Sequence, residues 1–297
     1  MKKKTLALLL ALAIGLTLAA CSSGDPNADA NGSAAPSSAP QEEKSAAPVA
    51  SDSAGEESDL AYVQDKGTLV VGITNFEPMD YQDANGQWIG FDADMAKAFA
   101  ASLGVKVEFS EISWDYKVFE LEAKNIDCVW NGMTLNDEVK AAMSTSVPYC
   151  LNAQVLVVPA DKAAEFEGLT SLEGLNVAVE SGSAGEDAAE ALGATTIPVQ
   201  KQADTLLEVS AGTSDAAVID LLMAGAMIGE GTSYSSLTYT LNLNEVQGLE
   251  SESYGVGFRP GSDLVEKFND FWAHSVADGT ALSTATTYGV QESVILD

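Results

Sequence analysis

Ile126-Asp127-Cys128-Val129-Trp130-Asn131-Gly132-Met133-Thr134-Leu135-Asn136-Asp137-Glu138-Val139-Lys140 is the stretch that decides how the chain is read. Ile126 to Trp130 is a short apolar run, which predicts a buried strand. Asn131-Gly132 is expected to break it, because glycine reaches backbone angles that other residues avoid. A helix should follow, with Thr134 or Asn136 as its cap and Asp137 and Glu138 at its positive end. A strand that stops at free N–H groups on a helix start offers a site for an anion such as a carboxylate. Taken alone, the stretch reads first as an ordinary strand-to-helix loop.

Outward from it, strand and helix signals alternate. Thr68 to Ile73 is an apolar strand, and Asp83-Ala84-Asn85-Gly86 a hairpin turn. Asp92 is expected to cap a helix that sets Met95, Ala96, Phe99 and Leu103 on one face and ends at Gly104. Val105 to Phe109 is the next strand, Trp114 to Lys124 the next helix, and Gln154 to Val158 a further apolar run. A second cycle follows. Strands are expected at Asn176 to Val179, Thr196 to Val199 and Ala216 to Ile219, the last ending on Asp220. Between them come the turn Ser181-Gly182-Ser183 and helices at Ala184 to Leu192, Asp204 to Ala211 and Leu221 to Ile228. Tyr254 to Phe258 returns as a strand before an amphipathic helix, Asp263 to Ala277. Repeated strand–helix units imply an α/β fold with a mainly parallel sheet.

The chain begins Met1-Lys2-Lys3-Lys4, continues with an apolar run from Leu6 to Ala20 and reaches Cys21. A basic start and a short apolar segment make residues 1–20 a secretory signal peptide. The run is shorter than the ~20 residues of a membrane-spanning helix. Leu18-Ala19-Ala20-Cys21 resembles the lipobox of bacterial lipoproteins, which places a lipid on Cys21; a plain cleaved signal is the alternative. Residues 21–59 are mostly Ser, Ala, Gly, Pro and acidic residues with no aromatic ring, the composition of a disordered linker. The net charge of −30 excludes a nucleic-acid binder and suits an extracytoplasmic protein.

The ordered motifs carry a family resemblance. Ile126, Asp127, Gly132, Met133 and Thr134, with Gly90-Phe91-Asp92-Ala93-Asp94, Trp114-Asp115, Pro148-Tyr149, Gln154 to Val158 and Tyr254-Gly255-Val256-Gly257, resemble the solute-binding proteins of amino-acid ABC transporters. The match runs from about Gly67 to the C-terminus. It implies a two-lobed periplasmic binding protein type II fold with two crossing hinge strands. Lobe 1 would span residues 60–154 and return at 255–297, and lobe 2 would span 155–254. Carried over residue by residue, the family's site gives Phe76 as the ring that stacks on the ligand and Trp114 as an apolar wall. Asn131, Gly132 and Thr134 become the carboxylate loop, Ser183 and Ala184 the second-lobe turn, and Asp220 the acid for an α-ammonium. Core packing for Phe76 and Trp114, and a helix cap for Asp220, are the structural alternatives.

One position departs from the family. Its usual carboxylate-clamping Arg falls on Val139, and the only Arg in the chain is Arg259. Either Lys140 reaches in as a point charge, or backbone N–H groups at Gly132 to Thr134 hold the carboxylate alone. A third reading is a ligand that is not an ordinary α-amino acid.

Catalytic patterns are sparse. The sole His, His274, sits within a helix and reads as a structural or surface residue. No zinc, Walker or nucleophile-elbow motif occurs, so neither a cofactor nor a metal is expected. Cys128 and Cys150 are expected as unpaired core residues, with a disulfide as the alternative. The expectation is a monomeric, lipid-anchored extracytoplasmic protein that binds an amino acid or similar small polar solute for an ABC permease and ATPase. Rival readings are a sensory binding protein, or an enzyme of the cyclohexadienyl-dehydratase type using Glu77, Asp115 or Glu180.

Overall fold

The computed structural model describes residues 58–248 and 252–297; the expected signal peptide, Cys21 and the linker up to residue 57 lie outside them. Ser58 caps the first helix, Asp59–Lys66, by accepting the N–H of Ala61. The chain then lays down β1 (Thr68–Ile73), β2 (Tyr81–Gln82), β3 (Trp88–Ile89), β4 (Lys106–Glu111), β5 (Cys128–Thr134), β6 (Ser144–Thr145) and β7 (Cys150–Asn152). After Ala153 come β8 (Gln154–Pro159), β9 (Asn176–Glu180), β10 (Thr195–Val199), β11 (Ala216–Asp220) and β12 (Leu237–Asn242), and β13 (Glu252–Phe258) returns.

Apart from the separate β2–β3 pair, these strands build two sheets, one for each lobe. The first has the order β4-β1-β5-β13-β6, with β7 also on β13, and the second the order β10-β9-β11-β8-β12. The helix-bearing units pair in parallel, β1 with β4 and β5, and β9 with β10 and β11. The strands that cross between lobes run against their neighbours: β13 is antiparallel to β5 and β7, and β8 is antiparallel to β11 and β12. The crossings fall between Asn152 and Gln154 and between Asn242 and Glu252.

Three local expectations are corrected. β5 does not break at Asn131-Gly132 but runs on to Thr134, because Met133 and Thr134 pair with Gly255 and Tyr254 of β13. Trp130, Asn131 and Gly132 bulge within that pairing, and Gly132 takes the positive φ, +55°, that the bulge requires. Asp92 is not a cap. The helix Phe91–Ser102 starts at Gly90, and the buried Asp92 carboxylate points the other way, into the lobe. The expected helix from Trp114 is a 3-10 turn, Trp114–Tyr116, followed by the helix Lys117–Glu122.

The core of the first lobe is aromatic. Trp130 meets Phe268 edge-on at 4.9 Å between ring centres, Phe99 meets Phe268 at 5.6 Å, and Tyr149 meets Trp272 at 5.6 Å. Such pairs add about 0.5–1.5 kcal/mol each beyond the area they bury. The second lobe closes on aliphatic side chains, among them Leu156, Val158, Val177, Val179 and Val218. Cys128 and Cys150 are buried and free, as expected, and burial pushes both thiols up.

Arg259 is structural. Its guanidinium pairs with Asp59 at 2.8 Å and donates to the Ile126 carbonyl at 2.8 Å. Asp127 completes the cluster by pairing with Lys66 at 2.6 Å and accepting the Val70 N–H. The sole Arg therefore fastens the first helix to β5 and β13.

Candidate functional site

The lobes face each other across a cleft of about 430 Å³, counted with its open mouth. β5, β9 and β11 all end on it, so their last residues, Thr134, Glu180 and Asp220, stand on its walls. Phe76, Trp114, Asn131, Gly132, Thr134, Ser183, Ala184 and Asp220, the eight residues carried over from the family, line this one cleft. Lys140 does not. It borders a separate groove beside Thr134, Asn136 and Asp187, because one step along the helix Asp137–Ala142 turns it away from Val139, which does face the cleft.

Several of these residues face the cleft differently from expectation. The Asn131 side chain is spent inward: its oxygen accepts the Thr74 N–H and hydroxyl, and its nitrogen donates to the Thr74 carbonyl and to Asp80. The Gly132 N–H is not free either, since it donates to Asp92 Oδ2 at 2.7 Å. Backbone groups at Gly132 therefore do not present themselves to an anion. A Cβ on Gly132 would lie 2.5 Å from the Phe76 ring, so the glycine also lets Phe76 lie close against the bulge. Phe76 is held edge-on by Tyr254 at 6.3 Å. Asn136, not Thr134, caps the helix by accepting the Val139 N–H, and Thr134 donates its hydroxyl to Glu252.

On the facing wall, Ser183 and Glu186 form a reciprocal cap. Ser183 Oγ accepts the Glu186 N–H at 3.1 Å, and Gly182 donates its N–H to Glu186 Oε2 at 2.7 Å. Asp220 precedes the helix Leu221–Met227 but makes no side-chain cap. Its carboxylate instead gathers four donors: Gln154 at 3.1 Å, Tyr254 at 2.8 Å, Gln202 at 2.6 Å, and Asn152. Burial and the neighbouring Glu252 raise its pKa to about 6. Glu180, at the end of the adjacent strand, is raised to about 8 by burial and by Asp220.

Lys117, on the first-lobe wall, is the cation of the cleft, and its role was not read from the sequence. It lies three residues after Trp114, so a helical turn brings it to the same face; that i, i+3 spacing was the available signal. Its ammonium sits 4.9 Å from the Trp114 ring centre and donates to the Gly182 carbonyl of the other lobe at 2.9 Å. Burial lowers its pKa. Gln202, also missed, opens a helix just beyond β10.

The lobes touch at the mouth. Lys201 pairs with Glu111 at 2.5 Å, Ser113 donates to Gln200 at 3.1 Å, and a Cβ on Gly182 would stand 2.8 Å from Asp115 Cα. Asp115 is thus a wall contact, and Glu77 borders a separate hollow with Asn75 and Tyr81. His274 is exposed and sits 3.5 Å from Asp278. No cluster suited to a metal occurs among the described residues.

Residues 69–291 match the family model described as bacterial extracellular solute-binding proteins, family 3. The chain is 26% identical over 232 residues to the L-cystine-binding protein TcyJ of Escherichia coli, covering 77% of this chain and 85% of that protein. It is 27% identical over 216 residues to the arginine-binding extracellular protein ArtP of Bacillus subtilis, covering 69% and 79%. The solved ancestral amino acid-binding protein AncCDT-1, a precursor of cyclohexadienyl dehydratase, superposes with a TM-score of 0.69 at 30% identity, covering 78% of this chain and 99% of that one.

Proposed function

The chain belongs to the bacterial extracellular solute-binding proteins, family 3, and we propose that it captures an amino acid or similar small polar solute between its lobes and passes it to an ABC permease and its ATPase. The observation that carries the site is the opposed pair of charges on one cleft, Lys117 from the first lobe and Asp220 from the second. A zwitterion spans such a pair, with its carboxylate toward Lys117 and its ammonium on Asp220, while Phe76 and Trp114 cover its carbon skeleton. Lys117 thereby fills the role sought at Val139 and Lys140. An ammonium entering at Asp220 takes the place of one of the four donors already there.

Hinge rotation about the two crossings would open and close the cleft. The Lys117–Gly182 and Lys201–Glu111 contacts would hold it shut. The N-terminal Cys21 would carry a lipid anchor, with the linker as spacer. The reading as a binding component rather than an enzyme of the dehydratase type is supported by the relatives, which are binding proteins; of the acids named for the enzyme reading, Glu180 lines the cleft. A thermal-shift screen of the amino acids tests the reading, since a ligand at one hundred times its dissociation constant adds about 2.7 kcal/mol.

A further inference from the structure

Three oxygens around Asp220 are left over. Glu180 Oε1, Gln154 Oε1 and Asn152 Oδ1 are buried without a hydrogen-bond partner; the two amide oxygens are acceptors, and Glu180 Oε1 is one once its carboxyl is ionised. Glu180 is only 3% exposed and Gln154 1%, and both line the cleft. The nitrogens of Gln154 and Asn152 are already given to Asp220 and Glu252, which fixes which end of each amide is the oxygen. Buried acceptors without donors are costly, and a solute in the cleft is placed to supply donors to the two that line it, Glu180 and Gln154.

The charge count points the same way. Glu180 and Asp220 end neighbouring parallel strands, β9 and β11, and Gln202 donates to Asp220 between them. Lys117 faces both, but its ammonium is bonded to the Gly182 and Trp114 carbonyls, and no ion pair joins it to Glu180. A plain zwitterion would meet Lys117 with its carboxylate and Asp220 with its ammonium. Glu180 would then share Lys117 with the solute carboxylate, leaving the cleft one negative charge in excess.

Building on the function proposed above, we infer that Glu180 receives a second cationic group of the solute, an ammonium or guanidinium, so the protein selects basic amino acids. Without a solute, Glu180 holds its proton up to about pH 8. A bound cation takes over the charge, and the carboxyl releases that proton to solvent. Affinity for a basic solute should therefore rise with pH up to about 8, by up to about tenfold per unit, and then level off.

Calorimetric titration of the purified chain with L-arginine, L-lysine and L-glutamine tests this. L-arginine or L-lysine should bind at least about tenfold tighter than L-glutamine, with net proton release in buffers of different ionisation enthalpy. Glu180→Gln should weaken the basic solute by about thirtyfold or more while leaving L-glutamine within a few-fold. Equal weakening of all three would mean that Glu180 merely shares the α-ammonium, and would overturn the inference. So would an affinity that falls with pH, the sign of a protonated Glu180 donating to the solute; the wild-type pH profile gives this answer even if the variant misfolds. L-Glutamine binding as tightly as the basic solutes would overturn the inference and leave the proposed function standing. No binding of any amino acid would overturn both.

Discussion

Asp92 Oδ2 accepts the Gly132 N–H at 2.7 Å, and the same oxygen accepts the Tyr149 hydroxyl at 2.7 Å. One buried carboxylate oxygen therefore pins the β5 bulge from behind, and the bulge sets the floor on which Phe76 lies. Asp92→Ala would strand both donors, each at about 1–3 kcal/mol. Urea unfolding should show a loss of that order, and ligand affinity should fall with it as the bulge relaxes.

Asp92 also sets a pH dependence. Its folded pKa is raised from 3.8 to about 7, chiefly by burial. Below about pH 4 folded and unfolded chains are both protonated there. Between about 4 and 7 the unfolded chain ionises while the folded one keeps its proton, so stability from this group falls as pH rises and is lost above about 7. Asp92→Asn removes the proton, and one amide oxygen can still accept both donors. The melting temperature of Asp92→Asn relative to wild type should therefore increase from about pH 5 to about pH 8.

Lys117 and Lys140 should separate cleanly. Lys117→Met keeps the stem over Trp114 but removes the cleft charge, which should weaken an amino acid by about 2–5 kcal/mol. Lys140→Ala should cost no more than about 0.3–1 kcal/mol. Parallel titrations check both, and equal effects would contradict the assignment.

Gly182→Ala should obstruct closure. The new Cβ would meet Asp115 Cα at 2.8 Å, and Gly182 sits at φ +72°, a conformation that alanine disfavours. The far-UV spectrum should stay unchanged. Small-angle scattering at saturating ligand should show a larger radius of gyration than wild type, with affinity down by about tenfold or more.

Cys21→Ala should move the protein out of the membrane fraction, because the proposed lipid attaches there. Unchanged lipid labelling of the variant would contradict the anchor.

How much of this was legible in the sequence depended on how far apart the deciding residues lie. β9, β11 and the helix Ala184–Ala191 follow from local apolar runs and the Ser183–Glu186 cap. The ordered motifs placed Phe76, Trp114, Thr134 and Asp220 on one cleft. The bulge at Asn131-Gly132 was not legible, because β5 continues only through pairing with β13 from the far end of the chain. Nor was the inward turn of the Asn131 side chain, which depends on Thr74 and Asp80. Arg259 gave no local sign that its partners are Asp59 and Asp127. Lys117 was hidden differently: its spacing from Trp114 was visible, but its reach to Gly182 depends on how the two lobes meet.

The central claim is that Asp220 holds the ammonium of an amino-acid solute between the lobes. Its most direct test is calorimetric titration of the amino acids into wild type and Asp220→Asn, a change that keeps the size of the side chain and removes its charge. The account predicts one-to-one binding of at least one amino acid to wild type and a loss of about 2–5 kcal/mol in the variant, with the fold unchanged by circular dichroism. Binding by Asp220→Asn within about threefold of wild type would contradict it.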